Sequence, residues 1–284
     1  MLKNDNSKLT RLLEMDLFVL DMDGTFYLGT HLFDWSEYFI KVIRKLGKDY
    51  VFLTNNSSKD PDSYVDKIKG MGLKDEEIKV FTSGEATAEY LKRYRDYKNL
   101  FVLGTPELKK IFRTYDFNVV NPDRFGEYSR EPDAVILGFD KTLTYESLAV
   151  MCDFVRRGLP YVATHPDINC PIEGGFIPDA GAMIQAIKAS TNRVPDMIIG
   201  KPNPYILDLL SEKLKIEKNK ICMIGDRLYT DIKLGLNSGI MSILVLSGET
   251  TLDDLKNSEL TPDLVFENIG EIAKVMENLA NQLK

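Results

Sequence analysis

Short apolar runs alternate along this chain with longer stretches in which apolar residues recur every three or four positions. The runs at 17–22 (LFVLDM), 49–54 (DYVFLT), 99–103, 133–138, 160–164, 196–200, 220–225, 241–246 and 263–266 predict strands. Most are continuous in Val, Ile and Leu, as in strands buried on both faces of a parallel sheet. The intervening stretches predict helices at 35–46, 61–71, 84–95, 106–115, 144–157, 180–189, 203–214, 230–237 and 270–283. Asp60 before Pro61 and Asn203 before Pro204 each read as an N-cap followed by proline at the first helical position. Such alternation predicts an α/β fold, a doubly wound parallel sheet in the Rossmann-like manner. The 284 residues leave room for two domains. Residues 81–181 carry a strand–helix alternation of their own, which predicts an inserted α/β domain between the two parts of a core domain, 1–80 and 182–284.

In an open parallel sheet the loops beyond the strand carboxyl ends form the binding crevice. Four polar segments fall there: Asp21-Met22-Asp23-Gly24-Thr25, Thr54-Asn55-Asn56-Ser57, Gly200-Lys201-Pro202, and Gly225-Asp226 with Asp231 shortly after. Asp21 and Asp23 stand two residues apart, and like charges so close need a cation, a proton or hydrogen-bond donors to coexist. A carboxylate can attack phosphorus to give an aspartyl-phosphate. A second carboxyl group can protonate the leaving oxygen and later deprotonate the attacking water. Lys201 supplies positive charge for the transferred group, and Thr54, Asn55 and Asn56 supply donors. Asp21, a backbone carbonyl near Asp23, and Asp226 form an oxygen set suited to Mg²⁺.

Composition narrows the alternatives. A net charge of -7 with no long basic block argues against a nucleic-acid surface. Three cysteines without a CxxC pair fit a reducing cytoplasm. No apolar run approaches membrane-span length, so neither membrane nor nucleic acid is expected as a partner. A homodimer stays open. An EF-hand starting at Asp21 would need glycine where Phe26 stands and glutamate where Leu32 stands. Gly200-Lys201 lacks the remaining residues of a P-loop, and neither GxSxG nor GxGxxG occurs.

Together "DMDGT", "LTNNS", "GKP" and "GDRLYTDI" resemble, in order and spacing, the four motifs of the haloacid dehalogenase superfamily of phosphohydrolases. The insertion, with "YVATHPD" and "PDAGAMIQAI", resembles the α/β cap of the NagD and 4-nitrophenylphosphatase branch. That resemblance implies Asp21 as nucleophile, Asp23 as general acid/base, and Thr54 and Lys201 as phosphate ligands. It further implies Asp21, Asp23 (through its carbonyl) and Asp226 as Mg²⁺ ligands, with Thr25 and Asp231 in support. Many relatives carry asparagine where this chain has His165, so no relative's substrate preference is carried over. His165 and Asp167 are the candidate substrate-selecting residues of the cap. The expected activity is Mg²⁺-dependent hydrolysis of a small phosphorylated metabolite: a sugar phosphate, glycerol phosphate, nucleotide or similar compound. Two other readings use the same pocket: a non-hydrolytic phosphoacceptor or phosphometabolite-binding protein, and a phosphotransferase or mutase. An acid/base at Asp23 argues against a receiver, which must preserve its phospho-aspartate.

Overall fold

The structure is a computed structural model that describes residues 4–121, 125–172 and 174–282. Residues 1–3 of the expected core, and Leu283 at the end of the expected last helix, lie outside the described residues. The chain divides into two compact units, one of 1–53, 64–81 and 201–284, the other of 54–63 and 82–200.

The first unit is built on a six-stranded sheet in the order Leu264–Phe266, Met241–Val245, Ile221–Gly225, Leu17–Leu20, Asp49–Thr54, Val80–Thr82. The central strand Leu17–Leu20 is buried at every position and pairs in parallel on both sides, Leu20 lying opposite Ile224 and Phe52. From it the chain runs outward one way through 49–54 and 80–82, then returns to the other flank through 221–225, 241–245 and 264–266. The direction reverses between Leu17–Leu20 and Ile221–Gly225. At such a switch point the loops diverge to opposite faces and leave a crevice at the carboxyl ends. Asp21 and Asp226 are the next residues after these two neighbouring strands. One layer of core packs Phe18, Phe39, Phe52, Ile272 and Met276, all fully buried. Each such side chain contributes about 1.5–3 kcal/mol by leaving water.

The second unit carries a five-stranded sheet, ordered Met197–Ile198, Tyr161–Ala163, Ala134–Leu137, Asn99–Leu103, Asn118–Val120, with parallel pairing throughout. Its core is separate, centred on Leu103, Val135, Leu137, Phe154 and Tyr161. The α/β, doubly wound reading therefore holds for the fold. The insertion differs from the expected 81–181 at its far end. Helix Ala180–Thr191 packs on helix Tyr145–Arg156, and Met197–Ile198 pairs with Tyr161–Ala163, so this unit runs to Gly200. Segment 54–63 joins it too, tied by Thr105 Oγ1 to the Ser58 carbonyl (3.0 Å) and by the Phe139 amide to Ser57 Oγ (3.0 Å).

Three local expectations are corrected. The first strand ends at Leu20 rather than 22, because the chain turns at once: the Phe26 amide donates to the Met22 carbonyl at 2.8 Å, and Gly24 sits at φ +84°. The helix expected from Asn203 begins at Tyr205, with Pro204 at the cap position. The helix expected at 230–237 opens earlier as a π-helical turn, Leu228–Ile232, and continues as Lys233–Ser238. Asp60, by contrast, caps its helix by accepting from the Ser63 amide at 3.0 Å. The antiparallel hairpin Asn169–Ile172 and Gly175–Pro178 has no apolar alternation to announce it, since most of its positions are exposed.

Candidate active site

Lys201 is the centre of the site in the first unit. It is almost wholly buried, and its Nζ lies 2.5 Å from Asp21 Oδ1 and 2.7 Å from Asp231 Oδ1, and donates to the Leu53 carbonyl at 3.1 Å. Burial works against the charge of Lys201, but Asp21 and Asp231 outweigh it and hold its pKa above the ordinary lysine value. A cation so placed stays charged.

Asp231 reaches Lys201 because of the π-helical turn. The Ile232 amide donates five residues back to the Arg227 carbonyl (3.2 Å), and the Arg227 amide donates to Asp231 Oδ2 (3.1 Å). The extra residue in that turn swings the carboxylate toward Gly225, where any Cβ would lie 2.3 Å from the Asp231 side chain. Single π turns of this sort recur at functional sites.

Asp226 is held on both oxygens. Thr25, itself fully buried, donates from Oγ1 to Oδ1 at 3.3 Å, and the Glu249 amide donates to Oδ2 at 2.7 Å. Two glycines make room for that carboxylate. A Cβ on Gly24 would come within 2.4 Å of Oδ2, and one on Gly248 within 2.0 Å. The segment 247–250 follows the neighbouring strand Met241–Val245 and clamps the turn after Asp21: Ser247 Oγ donates to the Gly24 carbonyl (2.8 Å) and the Thr250 amide to the Asp226 carbonyl (3.2 Å).

Asp21, Asp226 and Asp231 offer oxygens within 4.8 Å of one another. Burial raises the pKa of Asp226, and the neighbouring carboxylates Asp21 and Asp231 raise it further. Burial likewise raises that of Asp231, against the pull of Lys201. Two buried carboxylates and the partly exposed Asp21, facing one lysine, form an electron-rich, all-oxygen seat whose excess charge a hard divalent cation would neutralise. The residues fit Mg²⁺ on that ground.

Asp23 stands apart from this trio. Its pKa is raised, chiefly by burial, with Lys67 opposing and Asp21 reinforcing the shift. A carboxyl group so biased holds its proton longer than a surface aspartate, as a general acid must. Lys67 is fixed beside it, its Nζ 4.1 Å from the centre of the Tyr27 ring.

The remaining sequence-predicted residues lie in the second unit, where they form a cluster of their own. Thr54 Oγ1 accepts from the Asn56 amide (3.1 Å), and Asn56 Oδ1 accepts from the Ser58 amide (3.0 Å) and hydroxyl (2.7 Å). Asn55 Nδ2 donates to Asp167 Oδ1 at 2.9 Å. His165 is fully buried: Nε2 lies 2.8 Å from Asp179 Oδ1, and Nδ1 lies 2.8 Å from Thr164 Oγ1. Asp167 is the half-buried member of the pair. Sequence reasoning overlooked Arg227, Gly248 and Glu249. Arg227 stood inside the quoted "GDRLYTDI", where a basic residue between two aspartates was the available signal. Residues 247–250 gave none, since only the sheet brings them to Asp226.

A haloacid dehalogenase-like hydrolase family model matches residues 18–118, and a HAD-hydrolase-like model matches residues 198–272. The chain is 33% identical over 265 residues to an acid sugar phosphatase of Staphylococcus haemolyticus, covering 93% of this chain and 98% of that protein. Among solved structures, it resembles a 4-nitrophenylphosphatase from Thermotoga maritima with a TM-score of 0.86 and 52% identity, covering 93% and 98% of the two chains. NagD from Escherichia coli K-12 aligns with a TM-score of 0.81 and 27% identity, covering 90% and 98%.

Proposed function

This chain belongs to the haloacid dehalogenase-like hydrolase family, and from that premise we propose that it hydrolyses phosphate monoesters of small metabolites, sugar phosphates first among them, in a Mg²⁺-dependent reaction. The observation that carries this reading is the Asp21–Lys201–Asp231 array, with Lys201 and Asp231 buried, beside Asp226 and an acid-biased Asp23. Asp21 and Asp23 divide the work by environment. Asp21, oriented by Lys201, is the nucleophile toward phosphorus. Asp23 gives its proton to the leaving oxygen and then takes one from the water that hydrolyses the aspartyl-phosphate. Lys201 neutralises charge on the phosphoryl oxygens and holds Asp21 in place. Asp21, Asp226 and the Asp23 carbonyl would hold Mg²⁺, with Asp231 supporting through Lys201. When bound, the ion supplies charge neutralisation for the transferred phosphoryl group.

Thr54 and the amides of Asn55 and Asn56 are the proposed hydroxyl and backbone donors to phosphate. Asp167 is the proposed reader of the leaving group, and His165 holds the loop that bears it. Sugar phosphates lead because the curated relatives are named acid sugar phosphatases, and 4-nitrophenyl phosphate is the natural chromogenic probe. The test is a panel of phosphorylated sugars, glycerol phosphates and nucleotides assayed for released phosphate with Mg²⁺ and after chelation. Full activity after exhaustive chelation, or no turnover of any monoester, would overturn the proposal. A receiver-like or mutase reading would appear instead as a stable phospho-aspartate or as an isomerised product.

A further inference from the structure

Arg227 follows Asp226 directly, and its side chain is only 18% exposed. Its Nε forms an ion pair with Glu249 Oε2 at 2.9 Å, and its terminal nitrogens have no partner among the described residues. Glu249 is itself held: Tyr229 donates its hydroxyl to Oε1 at 2.9 Å, and the Glu249 amide is the donor to Asp226 Oδ2. One residue thus donates its amide to the carboxylate of Asp226 and pairs its own carboxylate with the guanidinium next to it.

The charges around it point to an anion. Asp21, Asp226 and Asp231 are balanced by Lys201 and one divalent ion, and Asp23 has Lys67 beside it. Arg227 adds positive charge to a loaded cluster in which the carboxylates otherwise offset Lys201 and the ion, and so favours a phosphate dianion. Glu249 does not cancel that added charge evenly, because its side chain is 46% exposed, where water and salt screen it, whereas the guanidinium is mostly buried. A guanidinium drawn to Glu249 by this ion pair, without a hydrogen bond at Nε, still carries two terminal nitrogens in the planar fork geometry that suits phosphate oxygens.

We propose that Arg227 is a phosphoryl-binding residue of this site and that Glu249 is its positioning residue. This rests on the phosphatase reading only for the identity of the anion. The test uses the full chain with two equilibrium readouts, the inhibition constant of inorganic phosphate and the Mg²⁺ dissociation constant measured by calorimetry. Arg227→Gln is expected to weaken phosphate about tenfold or more and to tighten Mg²⁺ severalfold, since it removes a cation from beside the metal seat. Arg227→Lys keeps the charge and is expected to hold Mg²⁺ affinity near wild type while losing part of the phosphate affinity. Glu249→Gln is expected to fall between, with the guanidinium present but free to turn. A merely structural ion pair would give opposite results: Mg²⁺ affinity unmoved or lowered in Arg227→Gln, phosphate unaffected, and either finding overturns the proposal. Should Arg227→Gln fail to fold, a lysine variant with wild-type phosphate affinity overturns it equally. If the wild-type protein bound no phosphate, the phosphatase reading would fail, while the Mg²⁺ shift would still judge Arg227.

Discussion

Replacing Gly248 with alanine adds one methyl group at the most crowded point of the proposed metal seat. The new Cβ would stand 2.0 Å from Asp226 Oδ2, 2.4 Å from Cγ and 2.7 Å from Cβ, against an ordinary contact of 3.4–4 Å. The carboxylate must therefore retreat by more than an ångström, which breaks the 2.7 Å bond from the Glu249 amide. A hydrogen bond to a charged group contributes about 1.5–3 kcal/mol. At about 1.4 kcal/mol per tenfold, Mg²⁺ binding should weaken by roughly one to two decades. Overall stability is a poorer readout, because alanine also restricts the unfolded chain and returns about 0.4–1 kcal/mol. The assay is a Mg²⁺ titration by calorimetry, repeated as the Mg²⁺ dependence of phosphate release. Activity should recover largely at saturating Mg²⁺. Gly70→Ala serves as control, since that position opens on free space at an ordinary φ. Wild-type Mg²⁺ affinity in Gly248→Ala would refute the reasoning that Asp226 must occupy this position to hold the ion.

The other expectations follow from the same geometry. Asp21→Asn should abolish turnover with an unchanged circular dichroism spectrum, because an amide is no nucleophile yet keeps the shape beside Lys201. Asp23→Asn should slow turnover by about a hundredfold or more, and alkyl phosphates more than 4-nitrophenyl phosphate; equal slowing would remove the acid role. Mg²⁺ affinity should rise as pH rises from the ordinary carboxylate range toward about 7, where the raised pKa of Asp226 lies, since below it a proton competes for the seat. In the metal-free protein the sign is reversed for stability: the folded state binds that proton more tightly than the unfolded chain, so the contribution is lost as pH climbs through the same window. Thermal melts with and without Mg²⁺ across that range measure both, and a Mg²⁺ effect independent of pH would count against them. His165→Ala should lower stability by about 1–3 kcal/mol by leaving Asp179 short of a buried partner, whereas Asp167→Ala should leave the melting temperature nearly unchanged and reorder substrate preference; an unchanged ranking would place Asp167 outside substrate recognition.

Much of this protein was determined by the sequence alone. Continuous apolar runs can be buried only between two layers of helices, so the α/β class and nearly every long element followed from periodicity. Asp21, Asp226 and Lys201 were legible for a related reason. Each stands just beyond an apolar strand or run, and parallel sheets gather such ends at one edge. No membrane segment was expected, and no helix among the described residues is long and apolar enough to cross a membrane.

The tertiary structure decided what depends on approach rather than order. The π-helical turn that aims Asp231 at Lys201 comes from how closely Gly225 lets it approach, which no local pattern encodes. Segment 54–63 and residues 182–200 join the second unit through hydrogen bonds and packing far apart in sequence. His165 looked like a polar loop residue beside Asp167, yet it lies at 0% exposure against Asp179, fourteen positions along the chain. Gly248 and Glu249 had no motif to mark them. They matter because the strand that pairs with Ile221–Gly225 delivers them to Asp226, a proximity set by sheet register and invisible in one dimension.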